Sequence, residues 1–249
     1  MAERAKPKPK SADGPTSSLI AHIEPKSPAA EAYRSLRTSI QFAGLDHKCR
    51  SIVVTSSSPG EGKSTTVANF GVVMAQTGAR ICLVDSDLRR PTLHRIFGLS
   101  NSRGLTTALL EGVSLKDIAQ PTLVPNLFVV TSGPLPPNPA ELVGSNRMRE
   151  SLETGVADFD MVLLDAPPVV LVADAVALAS FCDGVVLVVQ TGKVPHEVIR
   201  RAAGNIQAVK GRILGVVMNA VNLKRDGYYY DYYRYYHSYY TETEGSKRR

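Results

Sequence analysis

The segment Ser57-Ser58-Pro59-Gly60-Glu61-Gly62-Lys63-Ser64-Thr65 combines the residue types that a polyphosphate requires. A bound phosphate needs inward-pointing amides, glycines that admit close backbone approach, a cation for the β/γ oxygens and a hydroxyl for magnesium. Gly60, Gly62, Lys63 and Ser64 supply these functions, and the segment follows the apolar run SIVVT and precedes a helical pattern. Ser57 stands where the strict G-x-x-x-x-G-K-[ST] pattern has glycine. Residues Ser58, Pro59, Gly60, Glu61, Gly62, Lys63, Ser64 and Thr65 are therefore the candidate nucleotide-binding loop. The competing reading is a surface turn ahead of a capped helix.

Carboxylates recur at the ends of other apolar runs. In VDSDLRRP, Asp85 and Asp87 are separated by two on an extended segment, so both can face one site. Asp165 closes the run MVLLD, and a carboxylate at that depth needs a partner, for which magnesium-bound water is suited. Two or three carboxylates beside a phosphate loop suit magnesium binding or proton abstraction. The alternative for Asp85, Asp87 and Asp165 is capping of loops and helices. Lys63, Asp85, Asp87 and Asp165 are the candidate catalytic residues, and Ser64, Asp85 and Asp165 the candidate metal ligands. Asn219, at the end of ILGVVMN, is a candidate for the adenine edge or else caps a turn.

The elements that must carry these residues are legible as apolar runs. SIVVT, ICLVD, LFVVT, MVLLD, GVVLVVQ and ILGVVMN are apolar at nearly every position, which predicts strands buried on both faces of a parallel sheet. Residues 64–77, 145–156, 172–180 and 195–209 have helical character between them. Strands alternating with helices predict an α/β, doubly wound, mostly parallel sheet with helices on both faces. Ligands bind such sheets beyond the carboxyl ends of the strands, here just after Thr55, Val84 and Leu164. A further helix opens at Ser27-Pro28 and runs to about Phe42, with Glu31, Arg34 and Arg37 on one face and Tyr33, Leu36 and Ile40 on another.

The chain of 249 residues carries 29 Lys+Arg against 23 Asp+Glu, a formal charge of +6, and is 43% hydrophobic. That balance fits a globular protein with a sizeable core and excludes collagen, wholesale disorder and a disulfide-rich miniature scaffold. No apolar run approaches the roughly 20 residues needed to cross a bilayer, and the lysine-rich start lacks the apolar stretch of a secretory signal, so a cytoplasmic location is expected. Cys49, Cys82 and Cys182 are widely spaced, which predicts buried, reduced thiols rather than a metal or redox site. Residues 1–18, rich in Lys, Pro and Ser, read as a disordered basic arm. Nine of the ten tyrosines fall between residues 228 and 240, in a segment with neither a helical nor a strand period. Residues 224–249 therefore read as a flexible tail behind a folded unit spanning 19–223.

Five motifs in order give the chain a marked resemblance to the bacterial tyrosine kinases, whose catalytic domains share the ParA/MinD-like P-loop NTPase fold. They are SSSPGEGKST, ICLVDSDLRRP, MVLLDAPP, EAYRSLR and the tyrosine cluster, over about residues 20–249. The resemblance implies an ATP- and Mg2+-dependent protein-tyrosine kinase that regulates capsular or exopolysaccharide synthesis and export. It implies that Asp85 lies near the γ-phosphate and activates the attacking hydroxyl. It further implies that Tyr228, Tyr229, Tyr230, Tyr232, Tyr233, Tyr235, Tyr236, Tyr239 and Tyr240 accept phosphate between subunits. Glu31, Arg34 and Arg37 match the motif on the helix of residues 27–43 through which such kinases associate in a ring. The implied partners are a membrane-anchored modulator, which recruits the kinase to the inner face of the membrane, and a phosphotyrosine phosphatase. No nucleic acid is expected.

Two other readings compete. A ParA/MinD-like regulatory ATPase would use the same loop and carboxylates, but that group has a lysine where this chain has Ser58, and it leaves the tyrosines without a role. A nucleotide-binding scaffold would use the tyrosines as an adhesive segment.

Overall fold

The computed structural model describes residues 18–43 and 49–221. The tail at 224–249 and nearly all of the arm at 1–18 lie outside the described residues. In chain order the helices are α1 (Ile20–Ile23), α2 (Pro28–Ala43), α3 (Lys63–Ala75), α4 (Leu93–Phe97), α5 (Leu105–Glu111), α6 (Leu115–Ile118), α7 (Pro139–Val143), α8 (Asn146–Asp158), α9 (Asp174–Ala179) and α10 (His196–Ala208). The strands are β1 (Ser51–Ser56), β2 (Ile81–Asp85), β3 (Gln120–Pro121), β4 (Leu127–Val130), β5 (Met161–Asp165), β6 (Gly184–Gln190) and β7 (Ile213–Asn219).

They form a seven-stranded sheet in the order β3-β4-β2-β5-β1-β6-β7. Every pairing is parallel except β3 with β4. The six expected strands are present; β3, two residues long and ending in proline, is an antiparallel addition at the edge, where a missing N–H costs no ladder bond.

Alternation along the strands divides the core between the two faces. Val53, Val84 and Leu164 pack with Leu109, Met148, Leu178 and Ile206 from the helices on one side. Ile52, Val54 and Leu83 pack on the other side with Val67, Phe70 and Val73 of α3 and with Ala30 and Ile40 of α2. Full burial of a side chain such as Phe70 is worth about 1.5–3 kcal/mol. The expectation of burial on both faces fails at β7: Val216 and Met218 are about half exposed, because an edge strand at this end of the sheet has one face incompletely covered.

Helix α2 begins as its sequence suggests. Ser27 Oγ accepts from the Ala30 amide at 3.2 Å, with Pro28 at the first helical position. Ile40 is buried, and Tyr33 and Leu36 pack against the α3-side core. All three cysteines are free, but only Cys82 is fully buried; Cys49 and Cys182 are half-buried, a correction to the sequence reading. Burial pushes the Cys82 thiol up to about 12, so it is inert. Among the described residues no helix is long and apolar enough to cross a membrane.

Candidate active site

Strands β2, β5 and β1 are adjacent, so the loops leaving their carboxyl ends converge on one place. Asp85 and Asp165 are register partners, as are Val54 and Asp165, which sets the three strand ends at one level.

The loop after β1 turns twice through left-handed backbone, at Gly60 (φ +73°) and Gly62 (φ +88°), conformations that glycine adopts without steric cost. A Cβ on Gly62 would lie 2.1 Å from Asn219 Nδ2, so side chains are excluded there by contact as well. Helix α3 starts immediately afterwards. The Thr66 amide reaches Gly62 O at 2.8 Å, while the amides of Lys63, Ser64 and Thr65 precede any intrahelical acceptor and point out of the helix start. Free amides and the positive end of the helix dipole together favour an anion.

Lys63 Nζ extends from the loop to the carboxylates, 2.8 Å from Asp87 Oδ2 and 3.2 Å from Asp165 Oδ1. It also donates to Ser64 Oγ at 3.2 Å. Burial works to lower the Lys63 ammonium, but Asp165 and Asp87 outweigh it and hold the group above its usual range. Asp87 uses its other oxygen to accept from the Arg89 and Arg90 amides at 3.3 and 3.0 Å, closing the turn after β2.

Asp85 and Asp165 are both fully buried. Asp85 Oδ2 accepts from the Thr92 and Leu93 amides at 2.9 Å each, so it caps α4 from seven and eight residues away. Its Oδ1 has no hydrogen-bond partner, and neither has Asp165 Oδ2. Burial, then the Asp165 charge, push Asp85 up to about 7, against the Leu93 amide, the Lys63 charge and the Thr92 amide. Burial also raises Asp165, opposed by the Lys63 charge and the Ser64 hydroxyl. Two buried carboxylate oxygens without partners beside a hydroxyl make an all-oxygen donor set, which fits a hard divalent cation such as Mg2+.

The structure thus brings together Lys63, Ser64, Asp85, Asp87 and Asp165. Asn219 lies at the same end of the sheet, where its Nδ2 donates to Glu61 O at 2.8 Å. Glu31, Arg34 and Arg37 lie apart on α2. Arg34 pairs with Glu31 at 2.5 Å and donates to Pro25 O, and Arg37 donates to Val73 O of α3 at 3.0 Å. The nine clustered tyrosines lie outside the described residues. One further participant went unread in the sequence. Arg89 grips the fully buried Asp174 through two bonds of 3.3 Å, joining the β2–α4 turn to the start of α9. Glu61, one of the loop residues expected from the sequence, has its carboxylate buried within the protein.

The sequence matches the ParA family model, described as NUBPL iron-transfer P-loop NTPase, over residues 48–229. It is 45% identical to the tyrosine-protein kinase YwqD of Bacillus subtilis (strain 168) over 214 residues, which is 85% of this chain and 90% of that protein. The chain belongs to the bacterial tyrosine-protein kinases. Solved structures of this family agree. The chimerical protein CapA2B2 superposes with a TM-score of 0.79 at 41% identity, covering 82% of this chain and 90% of that one. The kinase domain of the Escherichia coli tyrosine kinase ETK gives 0.78 at 30% identity, covering 88% and 83%. The ParA/MinD-like P-loop fold that the resemblance implies is therefore the fold of this bacterial tyrosine kinase.

Proposed function

We propose that the chain transfers the γ-phosphoryl group of ATP to tyrosine hydroxyls, and that its own residues between Tyr228 and Tyr240 are acceptors. The observation that carries this reading is the convergence of Lys63 and the unpartnered oxygens of Asp85 and Asp165 at the mouth of the phosphate loop. Residues 19–223 form the kinase domain, 1–18 an arm and 224–249 the substrate tail.

Phosphoryl transfer is chiefly positioning and charge neutralisation. The amides from Gly60 to Thr65 hold the triphosphate, and Lys63 leaves part of its ion pairing with Asp87 and Asp165 to meet the β/γ oxygens. Ser64 and the free oxygen of Asp165 would hold Mg2+ or its water ligands, with Asp87 orienting that water and Asp85 beside it. When bound, the cation supplies charge neutralisation at the phosphates. Asp85 Oδ1 takes the phenolic proton as the tyrosine oxygen forms its bond to the γ-phosphorus, and the bond to the β-phosphate oxygen breaks to release ADP. A phenol has a pKa of about 10, so it needs such a base at neutral pH, and burial makes Asp85 a stronger proton acceptor than an exposed carboxylate. Asn219 exchanges its contact with Glu61 O for the adenine edge.

Transfer takes place between copies in a ring assembled through Glu31, Arg34 and Arg37 of α2. A membrane-anchored modulator recruits and activates the kinase, a phosphotyrosine phosphatase resets it, and the cycle regulates capsular or exopolysaccharide synthesis and export. Incubation of the purified full chain with Mg·ATP, followed by mass spectrometry of the tail, tests the reading. Phosphotyrosine at 228–240 supports it; free phosphate alone would instead fit a regulatory ATPase.

A further inference from the structure

An acidic side chain in the middle of a loop that holds phosphates is misplaced on charge alone. Glu61 lies between Gly60 and Gly62, yet its side chain is turned into the protein and the residue is only 1% exposed. Its Oε2 accepts from Ser57 Oγ at 2.7 Å and from the Ser58 amide at 2.6 Å, and its Oε1 accepts from the Gln190 amide at 2.9 Å. Gln190 ends β6, the strand paired with β1. The carboxylate therefore fastens both the start of the loop and its own turn to a neighbouring strand.

Ser57 completes the logic. It stands where a phosphate loop usually has glycine, and it is fully buried, so its hydroxyl requires an acceptor inside the protein. Glu61 is that acceptor. The two departures from the expected composition of the loop compensate each other: the serine supplies a donor that the acid needs, and the acid satisfies a hydroxyl that would otherwise be orphaned. The Asn219 amide on Glu61 O secures the same residue from β7.

We propose that Glu61, matched to Ser57 and anchored on Gln190, is a positioning residue that holds residues 57–62 in the shape that receives the nucleotide phosphates. This rests on the reading that the loop binds ATP. The role is preorganisation of binding, since Lys63, Asp85 and Asp165 are held by other contacts.

Glu61→Gln tests it with little change in volume. The amide keeps one acceptor oxygen and turns an NH2 toward either the Ser58 or the Gln190 N–H, donor against donor. Isothermal titration with Mg·ADP should show a Kd raised about tenfold, and the KM for ATP in tyrosine phosphorylation should rise similarly while kcat stays within about threefold. Ser57→Ala should weaken binding about threefold, and the Ser57→Ala/Glu61→Gln pair should lose less than the product of the single effects. Unchanged Kd and KM in Glu61→Gln with only a lowered melting temperature would overturn the inference, as would a collapse of kcat at constant KM. If Glu61→Gln fails to fold, the Ser57→Ala titration decides: an unchanged Kd overturns the proposal. Failure of the unmodified chain to bind Mg·ADP overturns both this inference and the nucleotide reading. Weakening by Lys63→Ala but not by Glu61→Gln removes this inference alone.

Discussion

Asp85 and Asp165 are register partners at the carboxyl ends of the adjacent parallel strands β2 and β5, both fully buried, each with one carboxylate oxygen lacking a hydrogen-bond partner. Two carboxylates so placed repel each other, and Lys63 relieves only part of that repulsion. The strain is local, and a cation or a proton would remove it.

A dependence of stability on pH follows from the direction of the Asp85 shift. The folded-state value, about 7, exceeds the ordinary 3.8, so the native state binds this proton more tightly than the unfolded chain. The contribution is fully present below about pH 4 and is lost as pH rises through about 7. The melting temperature of nucleotide-free protein in EDTA should therefore carry a component that declines from pH 4 to pH 7 and levels off above. Differential scanning calorimetry of Asp85→Asn should show that component flattened.

Lys63→Met should weaken nucleotide binding and also destabilise the nucleotide-free protein. Its ammonium is the shared partner of Asp87 and Asp165, and removing one member of a buried ion pair typically costs roughly 3–5 kcal/mol. Chemical denaturation should show the loss, and Lys63→Met/Asp87→Asn should recover part of it. Equal stability of Lys63→Met and the unmodified chain would mean that the cluster is better hydrated than its burial implies.

The Arg89–Asp174 clamp predicts an asymmetry between its two deletions. Arg89→Ala leaves a fully buried carboxylate uncompensated, whereas Asp174→Asn removes that charge and leaves a partly exposed guanidinium that water can solvate. Urea melts should show Arg89→Ala to be the worse by about 1–2 kcal/mol.

Glycine-to-alanine changes separate the loop from the scaffold. At Gly62 the added Cβ meets Asn219 Nδ2 and must adopt φ +88°, so Gly62→Ala should cost about 1–3 kcal/mol and impair nucleotide binding. At Gly204, inside α10, nothing lies within 4 Å of the added carbon, and Gly204→Ala should stabilise by about 0.5–1 kcal/mol. Thermal melts of the two single variants check both signs.

Most of the architecture was legible because the central strands are apolar at nearly every position and end on polar residues with chemistry. Asp85, Asp165 and the loop at 57–65 stand out for that reason. The short helices between residues 93 and 143 have no comparable period, and β3 has only two residues, one of them proline, so sequence pattern carries no signal for either. The Glu61–Gln190 contact spans 129 positions and the Arg89–Asp174 contact 85, distances over which spacing says nothing. At Asp85 one oxygen caps α4, as the capping alternative has it, and the other has no hydrogen-bond partner. At Asn219 the structure has the amide on the loop carbonyl of Glu61, the capping alternative.

The central claim is that the carboxylates at the strand ends deliver the γ-phosphoryl group of ATP to a phenol. The most direct measurement is phosphotyrosine mapping by tandem mass spectrometry after incubation of the full chain and of Asp85→Asn with Mg·ATP, with Mg·ADP affinity measured in parallel. The account predicts phosphate on tyrosines between 228 and 240 in the unmodified chain. In Asp85→Asn it predicts at least about a hundredfold slower transfer with nucleotide binding retained. Release of free phosphate with no phosphotyrosine, or undiminished transfer by Asp85→Asn, would contradict it.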